Sequence, residues 1–161
     1  TKYFLESQVH EGLFVRLKRS IYALKTDLPL EEEIANAIYQ PSYISFEYAL
    51  AYYNLIPEMV YTITSATTKP TRLFDVSGIA YSYQTIKKEA FTGYFLKKTE
   101  NKSYFIAEKE KALVDYLYFV SLNKSSENDR LETKGFNKEK IILYSTLFKN
   151  KKLNNLIKPF I

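Results

Sequence analysis

The spacing of apolar residues changes from helical to alternating near residue 13. Phe4, Leu5 and Val9 recur at roughly helical spacing, and Gly12 is a typical helix stop. The segment 13–24, LFVRLKRSIYAL, then alternates apolar and polar residues on both sides of a basic turn, which predicts a β-hairpin. A helix followed at once by such a hairpin is typical of the end of a winged helix-turn-helix. An ordinary surface hairpin with a basic turn fits the same residues.

The stretch 41–58, PSYISFEYALAYYNLIPE, is bounded by Pro41 and Pro57 and leaves room for one short helix, with Ser45 as its cap. Its apolar face consists of Phe46, Ala49, Leu50 and Tyr53. We expect this face to pack beneath a sheet and a later helix. Three nearby polar residues are expected to determine the fold rather than to bind a ligand: Ser42, Tyr43 and Ser45. The acidic block 31–33 before Ile34 predicts a preceding helix.

Residues 59–106 alternate in the way that is typical of β-strands. The predicted strands are 59–64, 72–77, 79–84, 91–96 and 104–106, and the hydroxyl-rich segment 65–71 is predicted as a loop. With the helices, this pattern predicts an α+β fold. We expect a short, mostly antiparallel sheet of four or five strands packed with helices, preceded by the remnant of a winged helix-turn-helix.

The C-terminal third is predicted to be helical. Residues 107–122, AEKEKALVDYLYFVSL, give the clearest helical period, with Lys111 and Asp115 paired at four-residue spacing on the solvent side. The polar segment 123–135 lacks any period and is predicted as a mobile loop. Asn137 is placed to cap a further helix, which residues 150–152 separate from a short final one.

Composition and charge exclude several kinds of site. The 161 residues contain no Cys and one His, which excludes disulfides, thiolate metal sites and a histidine cluster for zinc. The longest apolar runs fall short of the roughly 20 residues of a membrane span. We therefore expect a cytoplasmic protein with no membrane partner, no metal and no cofactor. Because the only Met is Met59, we also expect residues upstream of this sequence.

The net charge of +5 comes mainly from two basic ends, which suggests a polyanion partner or simply a solvated lysine face. Candidate DNA contacts near the N-terminus are His10, Arg16, Lys18 and Arg19. A second set of hydroxyls and cations could hold a phosphate or a partner, or form an ordinary Ser/Thr turn: Thr64, Ser65, Thr67, Lys69 and Arg72. A basic patch that could face a partner consists of Lys149, Lys151 and Lys152.

Taken in order, five segments resemble the AbiEi-type antitoxins, described as predicted transcriptional regulators of viral defence systems. They are LFVRLKRSIYAL, PSYISFEYALAYYNLIPE, YTITSATTKPTRLFDVSGIAYSYQTI, FTGYF and IAEKEKALVDYLYF, and the similarity covers roughly residues 3–120. Two departures are visible. Ser20 stands where the family's wing has a glycine turn, and 69–72, KPTR, replaces adjacent basic residues.

The resemblance implies a winged helix-turn-helix that binds operator DNA and represses its own operon. It also implies a C-terminal domain that neutralises a nucleotidyltransferase-like toxin in a type IV system, where a stable complex is not required. Since only the end of the DNA-binding module is present, we assign residues 1–26 to it and 27–161 to the antitoxin domain. The full-length module would contact the operator, so we expect this chain alone to bind DNA weakly and without sequence preference.

Two alternatives belong to other functional classes. An RNA-binding module would stack bases on exposed tyrosines of the sheet, namely Tyr81, Tyr83, Tyr94 and Tyr104. A metal-dependent nuclease would use Glu108 and Glu110 with nearby lysines and Asp75 as a third carboxylate. Glutamates at a helix start are favoured by the helix dipole alone, so we expect no enzymatic activity.

Overall fold

A computed structural model describes residues 2–161, which form an α+β fold as the sequence predicts. The helices are α1 (Lys2–His10), α2 (Glu31–Ile38), α3 (Phe46–Tyr52), α4 (Lys109–Ser121), α5 (Lys138–Phe148) and α6 (Lys151–Leu156). The strands are β1 (Phe14–Lys18), β2 (Ile21–Leu24), β3 (Ser42–Ile44), β4 (Ile63–Thr67), β5 (Arg72–Val76), β6 (Ile79–Thr85), β7 (Tyr94–Thr99) and β8 (Lys102–Ala107). The predicted N-terminal helix, its hairpin and the three C-terminal helices are all present.

The main sheet has six strands in the order β5-β6-β4-β3-β8-β7, and β1 and β2 form a separate hairpin. In the main sheet, β3 pairs antiparallel with β4, β5 with β6, and β7 with β8. The pairs β3–β8 and β4–β6 are parallel. The predicted number of four or five strands was too low because the three-residue β3 is too short to show a period of its own.

Strand β4 begins later than the alternation predicts. The prediction placed a strand over 59–64 and a loop from 65 onward, whereas Ser65 and Thr67 lie inside the strand and are fully buried. The reason is that β4 is an inner strand, paired with β3 and β6 at its two edges, and that α2 and α3 pack against it. Thr67 is accommodated because its hydroxyl donates to the Pro41 carbonyl at 2.7 Å.

Helix α3 begins and packs as predicted. Ser45 occupies the N-cap position, and Phe46, Ala49 and Leu50 are buried. The Phe46 ring meets the Phe119 ring of α4 edge-on, with 5.0 Å between centroids. This contact joins the start of α3 to the longest helix of the chain.

Helix α4 lies in the centre of the molecule, which corrects the predicted placement of its charged residues. Lys111 and Asp115 were expected on the solvent side, but both side chains are fully buried. The helix is covered by α3, α5 and α6 on different sides, so it has almost no solvent face. A helix that is buried all round must take its polar side chains into the core with it.

Helix α1 and the segment 123–135 pack less tightly than the rest of the described chain. Helix α1 has no buried residue and contacts the β1–β2 hairpin. The predicted loop 123–135 carries no helix or strand, and it is held to the body where Arg130 pairs with Glu58 and the Glu132 amide donates to Leu55 O at 2.8 Å. None of the helices in the described part of the chain combines the length and the apolar character of a bilayer-spanning segment.

Candidate nucleic-acid interface and buried ion-pair network

The β1–β2 hairpin has a two-residue tip, Arg19-Ser20, closed by the pair Lys18–Ile21. Ser20 adopts a φ of 67°, the left-handed conformation that glycine favours. Ser20 therefore forms a tight turn without a glycine. Arg16 and Arg19 are exposed on this hairpin, and His10 is exposed at the end of α1.

Lys18 points toward the body of the protein instead. Its ammonium donates to the Ile38 carbonyl at 2.8 Å and lies 4.0 Å from the centroid of the Phe74 ring. Ile38 is the last residue of α2, where the helix dipole favours a cation. Lys18 thus fixes the hairpin against α2 and β5. Of the three cations predicted for the hairpin, only Arg16 and Arg19 are directed to solvent.

Two lysines that lie far apart in sequence meet at one aromatic ring. Lys18 and Lys69 place their ammonium groups 5.7 and 5.5 Å from the centroid of the same Tyr39 ring. Arg72 lies two residues before Phe74 on β5 and therefore on the same face of the strand. We call Arg16, Arg19, Lys69 and Arg72 the basic surface. None of the four forms an ion pair with another described residue.

The hydroxyls of β4 do not join this surface. Thr64 donates to the Ser45 carbonyl at 2.7 Å and accepts from the Tyr48 amide at 3.1 Å. Thr67 accepts from the Lys69 amide at 3.1 Å, and Ser65 is fully buried. The Thr64 and Thr67 hydroxyls therefore serve the sheet and the start of α3, and the Ser65 hydroxyl is enclosed without a hydrogen-bond partner in the described chain. The three hydroxyls do not form an open phosphate cradle with Lys69 and Arg72.

The C-terminal lysines lie together as the sequence suggests. Lys149, Lys151 and Lys152 are exposed around a shallow cavity of about 490 Å³ between the end of α4 and the start of α6. Asn150 caps α6 and also donates to the Ser121 hydroxyl at 3.1 Å. This hydrogen bond fixes the α5–α6 turn, and it leaves the three ammonium groups free to face solvent.

A four-residue polar network lies in the core where α4 crosses β3 and α3. The Lys111 ammonium pairs with one carboxylate oxygen of Asp115. The other oxygen accepts from the Tyr43 hydroxyl at 2.9 Å and from the Ser45 hydroxyl at 2.8 Å. All four residues are fully buried. The network holds three elements together, as is expected if Tyr43 and Ser45 serve the fold.

The surroundings of this network are unusually apolar for an ion pair. The Lys111 ammonium lies 4.9 Å from the Phe148 ring centroid, and the Tyr43 ring stacks on Tyr94 at 4.5 Å. Burial lowers the pKa of Lys111 and raises the pKa of Asp115, although each charge partly offsets the other's shift. Because no solvent reaches these groups, the network is a structural device.

The carboxylates of the nuclease alternative are not gathered into one site. Glu108 accepts hydrogen bonds from Lys140 at 2.7 Å and Tyr144 at 2.9 Å, whereas Glu110 accepts from the Asn137 amide at 2.9 Å. Asp75 accepts from the Gly78 amide in the β5–β6 turn, at an edge of the sheet. Within residues 2–161, no three His, Asp or Glu side chains come together as metal ligands would.

Glu108 is expected to contribute a small, acid-sensitive part of the stability. Burial alone would raise its pKa, but the hydrogen bonds from Lys140 and Tyr144 lower it below the ordinary value of 4.5. A lowered pKa stabilises the fold above pH 4.5, and the stabilisation is lost as the pH falls through the lowered pKa. Glu108→Gln should therefore lower the free energy of unfolding by up to about 1 kcal/mol at neutral pH.

Urea unfolding from pH 3 to pH 7 measures this effect. The difference between Glu108→Gln and the wild-type protein should shrink toward zero in acid. The control is Glu127→Gln, because Glu127 is exposed and takes part in none of the ion pairs of residues 2–161. A difference for Glu108→Gln that stays constant over the pH range would contradict the assignment.

The tyrosines proposed to stack RNA bases are mostly buried, so that prediction was wrong. Tyr81 and Tyr83 are 0% exposed and Tyr104 is 5% exposed. The Tyr83 hydroxyl donates to the Ala35 carbonyl of α2 at 2.5 Å. Burial raises the pKa of Tyr81 to about 12, as expected for a phenol inside the protein. Tyr81 and Tyr83 are enclosed in the core and Tyr94 is half-buried, so the four tyrosines do not form an exposed stacking face on the sheet.

No protein-family model matches this chain, and no curated protein sequence matches it. Its own geometry offers a hairpin docked by Lys18, the exposed basic surface beside it, and a separate lysine patch at the C-terminal end. The polar network of α4 is closed to solvent. Charge exposed at the hairpin is therefore the feature that bears most directly on function.

Proposed function

We propose that the protein is the antitoxin and autoregulatory transcriptional repressor of a type IV, AbiE-like toxin–antitoxin system of phage defence. The hairpin and the basic surface contact operator DNA, as part of a winged helix-turn-helix. The α+β body counteracts a nucleotidyltransferase-like toxin in the cytoplasm, without a requirement for a stable complex. The protein carries out no catalysis of its own in this proposal.

The observation that carries the DNA-binding half is the basic surface. Four exposed cations lie on the hairpin and on the segment 69–72, two parts of the chain that Lys18 and Lys69 bring together at the Tyr39 ring, and they lack acidic partners among the described residues. Unpaired arginines and lysines in such a group suit a run of phosphates, and binding to phosphates gives affinity without reading sequence. A helix followed by a docked hairpin is also the arrangement in which a wing meets the DNA backbone.

The antitoxin half is supported by the resemblance of residues 3–120 and by the arrangement of the body. The buried residues of the core all lie between Ala35 and Phe160, and Leu17 and Ile21 of the hairpin pack against this core. The exposed patch of Lys149, Lys151 and Lys152 is its candidate partner surface, well separated in sequence from the basic surface.

DNA binding is tested by fluorescence anisotropy with a duplex from upstream of the protein's own gene. We expect weak binding that weakens with salt, and Arg16→Ala/Arg19→Ala should make the slope of log affinity against log salt shallower by about 2. The control is Lys149→Ala/Lys151→Ala, which removes the same charge elsewhere and should leave the slope unchanged. Equal effects of the two variants would contradict an interface at the hairpin.

The antitoxin activity is tested by growth. Co-expression of this chain with the nucleotidyltransferase-like protein encoded beside it should restore growth that the partner alone arrests. The Arg16→Ala/Arg19→Ala variant should still restore growth, because those residues belong to the DNA-binding half. Failure of the wild-type chain to restore growth, with both proteins expressed and folded, would refute the antitoxin assignment.

A further inference from the structure

A cleft opens in the main sheet where two parallel strands separate. Strands β3 and β8 pair at a single position, Ile44 with Ile106. On the N-terminal side of these residues the strands no longer pair, and a cleft of about 450 Å³ lies between 40–42 and 103–105. Clefts of roughly 300–1,000 Å³ are the usual size of small-molecule sites.

Helix α2 holds this cleft open by taking the place of a neighbouring strand. The Asn36 amide group accepts from the Phe105 N–H at 2.5 Å and donates to the Phe105 carbonyl at 3.4 Å. Glu33 accepts from the Ser103 N–H at 2.8 Å. Backbone groups of β8 are thereby satisfied without closure of the sheet. Collapse of β3 onto β8 is therefore not needed to complete the hydrogen bonding.

The walls of the cleft are aromatic and carry neutral polar groups. Phe91, Tyr94, Tyr104 and Phe105 contribute rings, and Phe105 is 41% exposed. Gln40 and Ser103 add hydrogen-bonding side chains. Ser42 also lines the cleft, and its hydroxyl is buried without a hydrogen-bond partner in the described chain. A buried hydroxyl without a partner is uncommon, and rotation of the Ser42 side chain toward the cleft would let a ligand supply one.

The charge of the cleft limits what it can bind. No Lys or Arg lines it, so it offers a phosphate no counter-charge. Its only carboxylate, Glu33, already accepts from the Ser103 N–H with one oxygen and from the Leu30 N–H at 3.0 Å with the other. A cation would compete with those bonds. Uncharged groups with flat faces and polar edges suit these walls best, since aromatic side chains stack on planar rings.

We propose that this cleft is a binding site for a small, uncharged, planar heterocycle with hydrogen-bonding groups at its edge, the chemical class of the nucleobases. The ring stacks on Phe105, which stands nearly perpendicular to Tyr94, and its edge faces Ser42 and Gln40. This site is separate from the basic surface and does not depend on the antitoxin proposal.

Adenosine is a suitable probe, with tetramethylammonium and inorganic phosphate as charged comparisons. In ¹H–¹⁵N correlation spectra of the full chain, adenosine should shift the amide signals of Ser42, Ser103 and Phe105. These shifts should saturate at adenosine concentrations in the high-micromolar to millimolar range. Ala37 lines the cleft from an exposed position on α2, so Ala37→Trp should fill the cleft without disturbing the core. This variant should weaken adenosine binding by at least tenfold.

Thr146→Trp is the matched control, because Thr146 is exposed on a helix and does not line the cleft. It should bind adenosine as the wild-type protein does, while Ser42→Ala should weaken binding a few-fold. The proposal is overturned by any of three results: no saturable shifts with adenosine, shifts that map away from the cleft, or equal binding by the two Trp variants. Saturation by tetramethylammonium or phosphate alone would also overturn the assigned class.

Discussion

Asp115→Ala is expected to lower the free energy of unfolding by about 3–5 kcal/mol, the largest single effect in the chain. The substitution leaves the Lys111 ammonium in the core without a counter-charge, since its bond to Asp115 is the one that compensates its burial. It also removes the acceptor of the Tyr43 and Ser45 hydroxyls. Equilibrium unfolding in urea at neutral pH measures the loss.

A control variant separates the net contribution of the ion pair to stability from the cost of leaving one of its charges buried and unpaired. Lys111→Met/Asp115→Leu replaces both charges with apolar side chains, so neither charge remains buried alone. We expect this double variant to be more stable than Asp115→Ala, because the desolvation of two buried ions offsets most of their attraction. If the double variant lost as much free energy of unfolding as Asp115→Ala, the ion pair would be strongly stabilising by itself.

The i,i+4 spacing of Lys111 and Asp115 predicted their contact correctly but placed it on the wrong side of the helix. Spacing reports which residues are neighbours on a helix and says nothing about what packs over them. The signal that was overlooked lies in the same segment: residues 112–120, ALVDYLYFV, have only one charged residue. A helix that is apolar nearly all round is central, so its remaining charge must be paired inside the core.

The strands of the main sheet also show where a local sequence pattern fails to predict the structure. The sequence predicted β5, β6 and the turn between them, because each strand is long enough, at five or more residues, to show an alternating pattern. Strand β3 has three residues, all buried, and therefore shows no alternation. Ser65 and Thr67 resemble loop residues by composition, and their burial follows from the position of β4 inside the sheet with α2 and α3 packed against it. Tertiary context outweighs strand propensity at such positions.

The candidate sites could be predicted in part. Exposure of Arg16 and Arg19 follows from their place near a hairpin tip, and the patch of Lys149 and Lys151 follows from a polar break between helices. Docking of Lys18 on Phe74 could not be predicted, because it joins residues 56 positions apart through a contact with a ring. Contacts between residues far apart in sequence produce no periodic pattern of apolar and polar residues. The cleft between β3 and β8 likewise depends on a pairing that no local pattern shows.

Gly93→Ala is expected to destabilise the protein by roughly 3 kcal/mol, the second largest effect. Gly93 has a φ of +74°, and a Cβ there would lie 2.7 Å from two ring atoms of Tyr144 and 3.0 Å from Cγ of Lys111. The Gly93 carbonyl also accepts from the Glu108 amide at 2.8 Å, which ties this backbone to the start of α4. Displacement of the backbone would therefore disturb both the ring of Tyr144 and the buried ion pair.

Gly78→Ala separates the two causes of this loss. Gly78 has a φ of +84° in the β5–β6 turn, but nothing lies within 4 Å of a Cβ placed there. The Gly78→Ala variant should lose only about 1 kcal/mol of stability, which is the cost of the left-handed backbone conformation for alanine. Urea unfolding of the two variants then gives the packing contribution by difference. Equal losses would mean that Tyr144 and Lys111 move aside freely, which would contradict the tight packing of α5 and α4 around Gly93.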